Sequence, residues 1–248
     1  MVRIGKQFLM VAAGMVLLGQ SVGAQVVCNP NNASASNTPI SYTVLIKKII
    51  LCPQGQVCDY ANGPFLYDGA GKEIDIASFG KGGFERIVGP DQIIKAGTYD
   101  KMAFLLSSTI NVKGVVNVNG EYCYTTTVDN NNKLCTQAHA PVGSEGDARN
   151  NAVTVGFQLP NMSKNAAQYK YDISGSDFKL EFTLANIISV PQDVRMGDVT
   201  EQMGLFFNVD AGVKAYIDTN QCFTILGSPT ITFKIGDTAV IPNVTVGP

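Results

Sequence analysis

The chain has 248 residues, 18 basic against 20 acidic side chains, a net charge of −2, and 45% hydrophobic but only 15% charged residues. That is apolar enough for a sizeable core, which excludes whole-chain disorder, and the even balance of charge leaves no basic stripe to neutralise a nucleic-acid backbone. One histidine, His139, and no tryptophan exclude most imidazole-based metal sites.

A leader comes first. Arg3 and Lys6 precede the apolar run Phe8–Leu18, and Val22 and Ala24 occupy the two small-residue places before a cleavage point. Cleavage is expected after Ala24, so 1–24 reads as a signal peptide. The apolar run is too short to cross a hydrocarbon core of about 30 Å as a helix, and no later run reaches that length. The compact leader points to bacterial export, to the periplasm, the cell surface or the medium. The polar stretch 25–39 reads as an N-terminal arm with little structure beyond Cys28.

From Ile40 the pattern is β. Ile40, Tyr42, Val44 and Ile46 alternate, then parity slips across Lys47-Lys48 to Ile49 and Leu51, which predicts a strand with a bulge. Pro64–Tyr67, the turn-like Asp68-Gly69-Ala70-Gly71 and Glu73–Ile76 read as a hairpin. Gly80-Lys81-Gly82-Gly83 reads as a loop. A long strand starts at Gly97, with Met102, Phe104 and Leu106 on one face and Ala103 and Leu105 on the other, so it is expected to be buried on both sides. Asn119-Gly120 between β-formers predicts a two-residue type I′ hairpin, with Val116 opposite Cys123 and Val118 opposite Glu121.

His139 to Asn151 reads as a linker or excursion that could split 40–248 into two sub-sheets or subdomains. Asn161–Gln168 leaves room for one helical turn. Phe178, Leu180, Phe182 and Leu184 alternate with Lys179, Glu181 and Thr183, a half-exposed strand. Further strands follow to Ile235. No window holds a sustained helical stripe, so the expected class is all-β, an antiparallel β-sandwich of immunoglobulin or pre-albumin-like kind.

The six cysteines, Cys28, Cys52, Cys58, Cys123, Cys135 and Cys222, are even in number in an exported chain and read as a disulfide framework. Cys52 with Cys58 and Cys123 with Cys135 flank short polar turns, which leaves Cys28 with Cys222. No Cys-x-x-Cys occurs, so a thiolate metal site is not indicated.

Candidate chemistry is thin. A Ser-His-Asp triad would need His139, which sits in a polar loop and reads as solvated, and no Gly-x-Ser-x-Gly elbow occurs. Glu73 and Asp75 share a strand face near Asp68 and could serve a carboxylate-based hydrolase; solvated surface charge is the plainer reading. Oxygen-rich stretches at Asp68–Asp75, Asp129–Asn132 and Glu145 with Asp147 leave room for structural calcium, without the EF-hand spacing. No other cofactor is indicated.

The strand Leu45-Ile46-Lys47-Lys48-Ile49-Ile50-Leu51, the segment Asp75-Ile76-Ala77-Ser78 and the step from Ala96-Gly97-Thr98-Tyr99 into Met102–Leu106 together resemble bacterial exported β-sandwich domains of the pre-albumin-like kind over 45–108. The resemblance implies fold character. The copper sites of similar periplasmic proteins need His or modified Trp, so no site residue follows from it. The first functional expectation is therefore an exported, non-enzymatic protein acting by surface contact: an envelope, matrix or adhesin-like component with a protein or glycan partner. A periplasmic small-ligand or metal-binding module is the alternative, and a hydrolase the second.

Overall fold

The computed structural model describes residues 27–78, 88, 90–198, 203–235 and 238–245. The leader at 1–24, its cleavage point and the loop Gly80–Gly83 lie outside the described residues.

The chain is all-β and its strand pairs are antiparallel. β1 (Ala35–Asn37) is followed by β2 (Ser41–Pro53), β3 (Phe65–Asp75) and the short β4 (Ile93–Ile94). β5 (Gly97–Ser107) runs on into β6 (Thr109–Lys113), and β7 (Val115–Val118) and β8 (Glu121–Tyr124) form the next hairpin. Helix α1 (Glu145–Asn151) precedes β9 (Val155–Gln158), β10 (Met162–Asn165), β11 (Tyr169–Ser174), β12 (Asp177–Val190) and β13 (Val194–Arg195). The remainder is β14 (Met203–Asn208), β15 (Val213–Asp218), β16 (Gln221–Leu226), β17 (Thr230–Ile235) and β18 (Thr238–Thr245).

The main sheet has eight strands with β2 near its centre. β3 lies along one side of β2, and β5 with β6 along the other. Beyond β5 comes β12, then β11 and β10; beyond β6 comes β9. Residues 97–113 thus act as one long strand interrupted at Ser108, and the sheet forks there into a β12 branch and a β9 branch. Strands from both sides of 139–151 share this sheet.

The slip in β2 is a bulge at Lys47. Pairing with both β3 and β5 shifts between Ile46 and Lys48, so Tyr42, Val44 and Ile46 face the core before it and Ile49 and Leu51 after it. The bulge sends both lysines outward: Lys47 Nζ meets Asp177 at 2.6 Å, and Lys48 Nζ meets Asp68 at 3.2 Å and lies over the Phe65 ring.

The expected hairpin at 64–76 is not formed. β3 is one strand, and Asp68–Gly71 is its bulge opposite Lys47, where Ile46 pairs with Lys72 and Lys48 with Asp68. Both halves of β3 take β2 as partner, because the long β2 offers an uninterrupted edge. The same glycines that suit a turn suit this bulge: Gly71 has φ +109°, and a Cβ there would press on the Leu45 side chain. Residues 162–165 form strand β10, not a helical turn, because they pair with β11 from Met162↔Ile173 to Asn165↔Lys170.

Met102 to Leu106 of β5 are all buried. One face joins the main core with Phe182 and Phe157; the other is covered at Ala103 by Ile50, Cys52, Cys58, Tyr60 and Phe65. The β7–β8 hairpin has the predicted register, Val116↔Cys123 and Val118↔Glu121, with Asn119 and Gly120 at φ 57° and 95°. It packs with Val213, Ala215 and Cys222 of the β15–β16 hairpin in the same core cluster as the main sheet.

The polar arm is more ordered than its composition predicts. β1 adds to the open edge of β15, with Ala35 opposite Ala215, and Asn37 Nδ2 donates to the Val115 carbonyl. The 139–151 segment is also packed. Ser144 caps α1 by accepting from the Asp147 N–H, Glu145 pairs with Arg149, and Ala148 and Ala152 bury against Val115. With only Ala148 buried, seven helical residues leave no apolar stripe for a sequence to display.

Cys52 is bonded to Cys58, but the other expected pairs are corrected: Cys28 is bonded to Cys135, and Cys123 to Cys222. The reason is strand parity. Cys222 and Ile225 are on opposite faces of β16. Cys123 meets Cys222 in the main core, whereas Cys135 bridges Ile225 and meets Cys28 in a second core with Tyr216 and Phe223.

Candidate functional site

His139 is not a solvated loop residue. It forms a β-bridge with Cys222, its ring lies 4.1 Å from that of Tyr124, and its Nε2 accepts the Tyr124 N–H at 3.2 Å. That bond needs Nε2 unprotonated, which puts the ring proton on Nδ1, 3.4 Å from the Gln137 carbonyl. Burial lowers its pKa, partly opposed by the Gln137 carbonyl. The imidazole is thus a structural bridge beside a disulfide.

The candidate acids other than Glu73 are likewise engaged. Asp68 is paired with Lys48, and Asp75 Oδ1 accepts from the N–H groups of Tyr42 and Ala77 at 2.8 and 3.1 Å, which closes the end of β3. Glu73 shares the strand face of Asp75 and sits opposite Leu45. Asp129 accepts from the Asn131 N–H within its turn, and Asp147 is bonded to Ser144. Among the described residues no group of three His, Cys, Asp or Glu lies close enough to hold a metal ion.

Glu181, read as an exposed strand position, is only 8% exposed. The segment after Cys58 reaches it: Tyr60 lies 3.4 Å from one carboxylate oxygen, and Lys170 2.8 Å from the other. Burial, and then the charge of Glu181, push the Tyr60 hydroxyl pKa up. This cluster fastens that segment to the sheet.

A concavity with free polar groups lies at the fork. A cleft of about 700 Å³ is bounded by the Asn130–Lys133 turn, by 158–161 after β9, and by Gly175-Ser176 between β11 and β12. Leu134, Leu159 and Pro160 supply its apolar lining, and Leu159 is 2% exposed. Ser108, buried where the two branches part, fixes the walls. Its Oγ donates to the Gly175 carbonyl at 2.7 Å and accepts from Gln158 Nε2 at 2.6 Å, and its N–H donates to Ser176. Thr109 donates to Gln158 Oε1, the Gln158 N–H donates to Lys133, and Gly175 N–H donates to Asn161 Oδ1. Asn132 donates to the Cys28 carbonyl, which ties the turn to the disulfide-bonded arm.

The side chains of Asn130, Asn131 and Lys133 make no hydrogen bond or ion pair among the described residues. The site therefore offers neutral amides and a single cation around an apolar floor, held rigid from behind. That composition binds polar ligands by hydrogen bonding. Of the carboxylates that flank the lining residues in sequence, Asp129 accepts the Asn131 N–H and Asp177 is held by Lys47. The run Asn130–Asn132 was visible in the sequence as a turn. Gln158, Asn161 and Ser176 carried no signal, because only the fork brings them to it.

Compared with known families, curated proteins and solved structures, the chain has no match.

Proposed function

We propose that this chain is an exported, non-enzymatic β-sandwich protein that acts by surface contact, as an envelope, matrix or adhesin-like component. In this reading 1–24 is a leader removed after Ala24. The main sheet forms one layer of a sandwich, and the β7–β8 and β15–β16 hairpins belong to the other, within one domain from 40 to 248. The observation that carries the reading is the fork cleft, where unengaged polar side chains surround an apolar floor on a rigid frame. Three disulfides that use all six cysteines support an oxidising location.

The test applies the leaderless protein, disulfides intact, to immobilised envelope and matrix material. Saturable retention is expected, with hydrogen-exchange protection concentrated at 130–133, 159–161 and 175–176. No retention, or turnover of a sugar or ester substrate, rejects the reading.

A further inference from the structure

We infer that the fork cleft is a carbohydrate site that takes a neutral, hydroxyl-rich oligosaccharide; this rests on the contact reading above and names its ligand class. A strongly anionic ligand would need several cations, and the cleft has Lys133 alone among its lining residues. A cation would need carboxylates; no lining residue has one, and of the two that flank the lining in sequence Asp129 accepts the Asn131 N–H and Asp177 is held by Lys47. A purely apolar ligand would leave the amide-bearing rim without partners on one side.

A saccharide meets each feature. Every sugar hydroxyl both donates and accepts, and a primary amide presents a donor and an acceptor in one plane, so Asn130 and Asn131 can each serve adjacent hydroxyls. Asn161 has its oxygen engaged by the Gly175 N–H, which orients its amide NH₂ as a donor. The apolar C–H faces of a sugar ring suit Leu134 and Pro160. The volume, about 700 Å³, falls within the roughly 300–1,000 Å³ of small-ligand sites. Because Ser108 and Gln158 hold the walls, ordering on binding is confined to the free side chains of the 130–133 turn. No aromatic ring lines the cleft, so the affinity for one site is expected in the millimolar range.

The disulfide-intact protein is titrated, with amide chemical shifts as readout, against neutral tetrasaccharides of hexose and of N-acetylhexosamine, and against a uronate tetrasaccharide. At least one neutral tetrasaccharide is expected to shift residues 130–133, 159–161 and 175–176. The double variant Asn130→Ala/Asn131→Ala, at exposed positions, is expected to bind it about tenfold or more weakly, since each lost hydrogen bond is worth about 1 kcal/mol. Lys133→Met should change neutral binding less than about threefold. The inference is overturned if no neutral tetrasaccharide shifts these residues, if the double variant binds as the parent does, or if the uronate is preferred and lost on Lys133→Met. Competition by free saccharide separates the two readings. Retention on envelope material that a saturating concentration of each neutral tetrasaccharide leaves unchanged keeps the contact reading standing and removes the sugar. Retention that one of them abolishes supports both, and absence of retention removes both.

Discussion

The His139 ring accepts the Tyr124 backbone N–H beside the Cys123–Cys222 bridge. In the unfolded chain it takes up a proton with a pKa near 6.5, while in the folded chain burial lowers that value. The unfolded state thus binds more protons as pH falls below about 6.5, and stability drops from there until the lowered folded-state pKa is passed. Carboxylates titrate mainly below about pH 5, and the chain has one histidine, so the interval from pH 6.5 to 5 reports His139. Thermal unfolding should show Tm falling across that interval. His139→Gln, which can accept the same N–H without titrating, should flatten the fall; an unchanged slope would assign it elsewhere. Close approach sets a second residue-scale limit. A Cβ on Gly227 would run into the Ala211 carbonyl, while the Gly227 carbonyl accepts from the buried Tyr42 hydroxyl at 3.1 Å. Gly227→Ala should therefore cost more than about 3 kcal/mol and Tyr42→Phe about 1–2, measured as urea midpoints of unfolding.

At the scale of elements, the fork depends on Ser108. Its hydroxyl is fully buried and sits between the Gly175 carbonyl and the Gln158 amide. Ser108→Ala removes both bonds but leaves the Gln158 amide its longer bond to the Gly175 carbonyl at 3.3 Å, so the cost is about 1 kcal/mol. Hydrogen exchange should quicken in β9 and at 175–176 more than in β2 or β5; uniform quickening would mean that the fork is held by other contacts. The elements that were legible in the sequence are those whose cause is local. The parity slip at Lys47 is printed in the order of apolar residues, and Asn119-Gly120 carries its own turn chemistry. Asp68–Gly71 has turn chemistry too, yet it serves a bulge, because glycine at positive φ suits either and only the length of β2 decides. Cysteine partners depend on which face of β16 each reaches, so spacing misleads for Cys123 and Cys135. Of the cleft, the Asn130–Asn132 turn was readable, while its opposite wall exists only because β9 and β12 part at Ser108.

For the molecule as a whole, the covalent topology bears on the cleft. Cys28–Cys135 spans 107 residues, Cys123–Cys222 spans 99, and Cys52–Cys58 spans 6. Loop-closure entropy assigns about 5 kcal/mol to each long bridge and about 2 kcal/mol to the short one. The two long loops overlap between Cys123 and Cys135, and the cleft turn Asn130–Lys133 lies in that shared stretch. The turn is therefore restrained from both ends, by the arm through Cys28 and by β16 through Cys222, and the Asn132 bond to the Cys28 carbonyl adds a third restraint. Such restraint lowers the ordering cost of binding. Cys28→Ala/Cys135→Ala should thus lower unfolding stability by about 4–5 kcal/mol and also weaken retention on envelope material under conditions where the protein remains folded. Cys52→Ala/Cys58→Ala should cost about 2 kcal/mol and leave retention intact, since that bridge packs against Ala103 on another part of the sheet. Equal loss of retention in both variants would show that the cleft answers to global stability and not to the bridge beside it.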